Sequence, residues 1–347
     1  MGEYQAISKL SPSTKDSIIP LIEVAEIGYD FENKKVSKTL DEHLISFAKR
    51  VKEKWGRKGC FIDIQLIEPY GLMSSGYHPA RFIFEDLRLK NICAIPVICL
   101  NMDPQVLDEF INIVDIDKKG LCIRVNVEEI VKGNFSISIG NLINKFGLRC
   151  DQCDLIIDLQ TPNFEPLDRF ANLLVNIIKN IPNLNYWRTL VIIGTSFPPT
   201  LGGLKTGIST LPRSEWCLYE QLFNNLKKDG VRVPVFGDYA INHPEVLLLD
   251  MRLVKPNASI RYSINNEWLI VKGVNVRDYG FSQYGKLCKL IIEMVEYCGP
   301  EFSAGDQYID ACANGEASTG NLTTWRWVGT NHHIEKVVRD LAIPFAF

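Results

Sequence analysis

Eight short apolar runs punctuate the chain: Ile19–Ile27, Phe61–Ile67, Ala94–Leu100, Leu121–Val127, Asp154–Leu159, Thr189–Ser196, Val233–Ala240 and Ser259–Ile264. They are rich in Ile and Val and mostly continuous, the pattern of strands buried on both faces of a parallel sheet. Their starts lie 26 to 44 residues apart. Helical periodicity fills most of the gaps. Leu40, Leu44, Phe47, Val51 and Trp55 form one stripe, and Val106, Leu107, Phe110, Ile111 and Val114 a second. Leu167, Phe170, Ala171, Leu174, Ile177 and Ile178 form a third, with Pro166 suited to its first turn. Two more run through Trp216–Leu226 and Leu287–Val295.

Strands alternating with helices at this spacing predict an α/β chain, a TIM-like (β/α)8 barrel, with an open doubly wound α/β sheet as the alternative. The barrel is favoured because no glycine fingerprint follows the first strand. The barrel domain is expected over residues 1–302. Only Val246–Leu249 and a few charges separate the last two runs. Asn265-Asn266 joins Ser259–Ile264 to Glu267–Lys272 and predicts a hairpin, since Asn tolerates positive φ. Residues 303–347 read as a loop-rich C-terminal extension, a lid closed by a helix near Ile334–Ala342.

Composition narrows the class. The 347 residues carry 38 Lys+Arg against 41 Asp+Glu, a formal charge of -3, and are 46% apolar. That excludes a disordered chain and argues against nucleic acid or membrane as a general partner. No run approaches the ~18–20 apolar residues of a membrane helix. Met1-Gly2-Glu3-Tyr4 is not a secretory leader, so the cytoplasm is the expected compartment. Cys60, Cys93, Cys99 and Cys122 lie in apolar runs, as reduced core cysteines do. Cys150-Asp151-Gln152-Cys153 has no second pair and reads as core packing. The basic stretch Lys34–Lys58 reads as a solvated helix face.

Chemistry in a barrel gathers where strands end. Glu23, Asp63, Asp158 and Asp238 are candidate ligand or acid/base carboxylates. Arg124 and Arg261 are candidate clamps for an anion, with Lys272, Arg326 and His333 as further ligand contacts. Tyr239 and His332 are candidate proton donors or orienting groups. The set suits a divalent metal as cofactor and a phosphorylated or nucleotide-like small molecule as ligand. The competing account is that these charges pair with one another. Trp325-Arg326-Trp327 through His332-His333 either stacks on a planar ligand or packs as a lid, with Asn331 capping the final helix. His78-Pro79 and His243-Pro244 are rim acid/base groups or helix-start residues.

The segments GEYQAISKL, IIPLIEV, FGDYAI-x-HPE, DMRLVKP–SIRYSI, GTSFPPTLGG, GFSQYGKLC and TGNLTTWRWVGTNHHI resemble the protein beta (beta family) group of bacteria, phages and mobile elements, over nearly the whole chain. The resemblance implies a shared fold and an accessory or phage-conflict role, but no reaction. It also implies a strand ahead of Gly2-Glu3, in which case Val233–Ala240 would be the eighth strand and the Ser259–Lys272 hairpin an addition outside the barrel. Two functions follow as expectations. One is a barrel enzyme or binding protein for a phosphorylated small molecule. The other is a non-catalytic sensor or accessory module in phage defence or a toxin-linked system, with a protein partner.

Overall fold

The computed structural model describes residues 2–245, 250 and 253–343. Val246–Leu249, expected between the last two strands, lie outside the described residues. Ten strands longer than two residues are named here: β1 (Leu21–Glu23), β2 (Cys60–Asp63), β3 (Ala94–Ile98), β4 (Leu121–Asn126), β5 (Cys153–Asp158), β6 (Thr189–Gly194), β7 (Gly207–Pro212), β8 (Val235–Asp238), β9 (Asn257–Ile264) and β10 (Glu267–Asn275).

Seven of them form one parallel, curled sheet in the order β1-β2-β3-β4-β5-β6-β8. The order follows the chain without reversal, so the doubly wound alternative is set aside. The full eight-stranded barrel is not formed either: β1 and β8 are both sheet edges. Ser259–Ile264, expected as the last barrel strand, lies in β9 and pairs antiparallel with β10. β10 pairs in turn with β7. The hairpin forms as its Asn pair predicts, outside the parallel sheet. β7 went unread because Gly207–Pro212 (GISTLP) holds only two large apolar residues, Ile208 and Leu211, three positions apart, so neither a continuous run nor an alternation marks it.

Helices lie between most strands and bury their apolar stripes on the sheet. Ala171, Leu174, Ile177 and Ile178 of Leu167–Lys179 are buried, as are Leu107, Phe110 and Val114 of Pro104–Asp117. The stripe Leu40–Trp55 is two helices, Leu40–Leu44 and Phe47–Lys54. His78 Nδ1 accepts from Ala80 N–H at 3.2 Å and His243 Nδ1 from Glu245 N–H at 3.1 Å, so both serve as local caps.

A small inner core of Phe61, Ile95, Val97, Cys122, Ile156 and Val191 fills the hollow of the curled sheet. A second core joins the β9–β10 hairpin to helices Gln283–Ile292, Ala304–Ala313 and Leu322–Ala342. The packing thus groups the hairpin with the C-terminal extension. That extension is mostly helical rather than loop-rich, because the last helix begins at Leu322, well before Ile334. Asn321, not Asn331, caps it, accepting from Thr323 and Thr324 N–H. Asn331 is buried mid-helix and bonds Gly305 N–H and the Ala6 carbonyl. Trp325 and Trp327 are core residues, which settles the packing account of the Trp pair. All ten cysteines are free thiols. No described helix is long and apolar enough to cross a membrane.

Helix Ala304–Ala313 touches the last helix at Gly305. A Cβ there would stand 2.5 Å from the Val328 carbonyl oxygen, which belongs to backbone and cannot turn away. Gly305→Ala is expected to cost about 1–3 kcal/mol of stability, read by urea unfolding, with the native fold retained.

Candidate functional site

The period of two along a strand decides what meets at the mouth of the curled sheet. Leu21, Phe61, Cys122 and Ile156 line the inner face. Two residues further on, and therefore on the same face, stand Glu23, Asp63, Arg124 and Asp158. Tyr239 lies two beyond Gly237, whose missing side chain leaves room: a Cβ there would stand 2.5 Å from Ile193 Cγ2. These five side chains converge at the C-terminal end of the sheet.

Arg124 is the hub. Its Nε donates to Asp158 Oδ2 at 2.9 Å, and its Nη1 to Glu23 Oε1 and Asp63 Oδ2, each at 2.8 Å. Its Nη2 donates to the Tyr239 hydroxyl at 2.8 Å and stands 2.7 Å from Asp158 Oδ2. Tyr239 O–H donates to Asp158 Oδ2 at 2.7 Å. Asp63 and Asp158 are almost wholly buried, while Glu23 is 37% exposed. The second oxygens of Asp63 and Asp158 accept from Gln65 and Gln160 N–H. Burial and the neighbouring Asp158 carboxylate push the Tyr239 phenol far above its ordinary range, against the pull of Arg124, so it keeps its proton.

The remaining candidates sit elsewhere. Asp238, adjacent to Tyr239 and so on the opposite face, turns towards the lid. Its Oδ2 accepts from His333 Nε2 at 2.7 Å, and His333 Nδ1 accepts from the Ser263 hydroxyl at 2.7 Å. His332 Nδ1 lies 2.8 Å from Asp306 Oδ2, and its Nε2 2.9 Å from the Ser263 carbonyl. Ser263, His332 and His333 are completely buried, so this Ser–His–Asp connection is a tie between β8, β9 and the lid helices. Lys272 donates to the carbonyls of Leu201, Gly202 and Leu204 and pins that loop. Arg326 pairs with Glu3 at 3.3 Å. Arg261 packs over the Phe197 ring at 5.1 Å, donates weakly to the Ile241 carbonyl, and burial beside Arg326 lowers it to about 10. Of the two expected anion clamps, Arg124 is spent on protein oxygens and Arg261 is held on Phe197 and the Ile241 carbonyl; of the further expected ligand contacts, Lys272 and Arg326 are also bonded to protein oxygens.

Other residues of this end lack a signal that strand-end reading detects. Glu68, on the 3-10 turn Gln65–Tyr70 after β2, is half-buried, and its Oε1 has no hydrogen-bond partner among the described residues. Burial, then Asp63 and Asp103, raise its pKa. Glu215 is buried beneath the end of β6, where Ser196 N–H and hydroxyl donate to its Oε2. Arg213 is wholly buried between the Trp216 and Trp268 rings, at 5.1 and 5.3 Å. No periodicity marks these three; a buried charge within a polar run carries no pattern of its own.

The donor set does not fit the expected divalent metal. Among the described residues no group of three or more His, Cys, Asp or Glu is arranged to hold a metal ion. The mouth carboxylates turn towards Arg124 instead of towards one another.

A family model described as Beta protein matches residues 1–339. The chain belongs to the Beta protein family. No curated protein and no solved structure matches it.

Two predictions follow from these contacts. Arg124→Met strands Asp63 and Asp158 as buried, uncompensated carboxylates and is expected to cost about 3–5 kcal/mol in urea unfolding, with Arg124→Lys recovering only part. The second concerns pH. Burial holds His333 below its ordinary range despite Asp238, and the histidine contacts hold Asp238 and Asp306 below theirs against burial. All three depressed values give stability that is present above the unfolded values and lost on acidification. The His333 part goes below roughly pH 6.5 and the aspartate parts below roughly pH 4. The thermal midpoint is expected to fall from pH 7 to pH 5, and His333→Gln to flatten that slope.

Proposed function

We propose that the mouth of the curled sheet binds a small molecule rich in hydroxyl or amine donors. The observation that supports this is the charge balance: three carboxylates share one guanidinium whose nitrogens are all bonded within the protein. Glu23 keeps an oxygen towards solvent, and Cys99 nearby feels Glu68, Glu129 and Asp63 as well as burial. A site with carboxylate to spare attracts donors and positive charge and repels phosphate. The phosphorylated ligand expected from the sequence is therefore not carried to this site.

Within this reading, Glu68 supplies acid–base chemistry. It stays protonated to a higher pH than an ordinary glutamate, beside the carboxylate of Asp63 held on Arg124. Two carboxyl groups with environments that differ in this way are the usual acid and base of a proton-transfer site. A non-catalytic binding module would use the same contacts, and product formation separates the two.

The test is a thermal-shift and calorimetric screen with amino sugars, polyamines and neutral oligosaccharides beside nucleotides and sugar phosphates. Binding is expected among the first group. Glu68→Gln and Glu23→Gln are each expected to weaken it at least tenfold without moving the unfolding midpoint by more than a few degrees. Saturable binding of nucleotides alone, unaffected by both substitutions, would sink the assignment.

A further inference from the structure

A cavity of about 270 Å³ between the N-terminal segment and the last two helices lies apart from the mouth and from the histidine network. Three segments remote in sequence build it: Lys9 and Ser11 after the first helix, Pro300–Ala304 with Gln307 at the start of helix Ala304–Ala313, and Glu335 and Arg339 on the last helix.

Its charges are arranged unevenly. Glu335, at 2% exposure, is spent: its Oε1 accepts from Ser11 N–H at 2.6 Å, and its Oε2 from the hydroxyls of Thr14 at 2.7 Å and Ser11 at 3.2 Å. These bonds fix the Lys9–Ser11 turn against the last helix. The two cations of the wall have no carboxylate within ion-pair distance among the described residues. Aromatic faces hold them instead. Lys9 Nζ stands 5.1 Å from the Trp327 ring centroid, and the Arg339 guanidinium 3.9 Å from that of Phe302. Arg339 Nη2 donates to the Phe302 carbonyl at 2.6 Å, which sets the plane of the fork and leaves its other edge unspent. Both cations line the one cavity, and a guanidinium fork and an ammonium group are each how proteins bind an oxyanion. Glu301, exposed at the rim, offers an acceptor opposite them.

We propose that this cavity is a binding site for a small organic oxyanion, a phosphate or carboxylate that also carries an amine or hydroxyl to meet Glu301. The site is independent of the mouth. Lys9 and Arg339 grip the oxyanion, and Ser11 and Gln307 line its sides. An anion held there ties the first helix to the last.

The experiment is calorimetric titration and thermal shift of the full chain at constant ionic strength, with inorganic phosphate, phosphoserine and succinate as probes and chloride as the control salt. Saturable binding with a dissociation constant of millimolar or below is expected for at least one probe, with phosphoserine tighter than inorganic phosphate if phosphate is the ligand group. A response to succinate alone marks a carboxylate ligand and supports the site equally. Lys9→Met and Arg339→Met, which keep the stems on their rings, are each expected to weaken binding at least tenfold, and Arg339→Lys by less. Glu68→Gln, in the mouth, is expected to leave this binding unchanged, so failure at one site is distinguishable from failure at the other. Circular dichroism confirms that the variants fold. No saturable response of the wild-type chain to any probe, or a response that survives both methionine variants, overturns the proposal.

Discussion

Charge buried at the ends of parallel strands has to be answered locally, and Arg124 answers it. The inner face of the curled sheet is apolar for one layer and ionic in the next. Without a cation in that second layer, Asp63 and Asp158 would face each other across a hollow of low polarity. One guanidinium joins groups that follow or sit on β1, β2, β5 and β8, besides its own β4. It therefore links both edges of a sheet that hydrogen bonding alone leaves open. The geometry of the mouth, the buried proton of Tyr239 and the surplus negative charge all depend on that single side chain.

A second constraint acts on the opposite face of the same strand ends. Ser263 bonds both adjacent histidines, one through its carbonyl and one through its hydroxyl, and each histidine reaches a different aspartate. The result is a continuous chain of hydrogen bonds from Asp306 in the lid to Asp238 at the end of β8. Such chains are rigid when every member is satisfied. The two histidines have different partners: His332 faces a carboxylate and a carbonyl, whereas His333 faces a carboxylate and a hydroxyl.

Much of the fold was legible because burial on both faces writes a plain signal. The seven runs of the parallel sheet all appear at their expected places, six of the strands somewhat shorter than their runs and β5 of the same length shifted by one residue. The eighth run failed for a physical reason. Ser259–Ile264 differs from the other runs: Ile260, Tyr262 and Ile264 alternate with Ser259, Arg261 and Ser263, the pattern of an antiparallel strand, and counting it with the continuous runs passed over that alternation. Within the site, alternation by two brings Glu23, Asp63, Arg124, Asp158 and Tyr239 together and sends Asp238 the other way, a parity that grouping Asp238 with the other three carboxylates had passed over. What the residues could not state is who answers whom. Arg124 as clamp and Arg124 as structural counter-charge have the same sequence, and only the distances separate them. Glu68, Glu215 and Arg213 lie in turns and at helix starts, where no period exists to flag them.

The path of the chain has one more consequence. β7 leaves the parallel sheet, the chain returns to lay down β8, and only then do β9 and β10 supply the partner that β7 needs. The two sheets are thus interleaved along the polypeptide, not laid end to end. As the chain emerges from a ribosome, β7 has an unpaired edge until more than fifty further residues have followed it, and contacts of that separation form slowly. The C-terminal part of the chain is for this reason a partner in folding its middle.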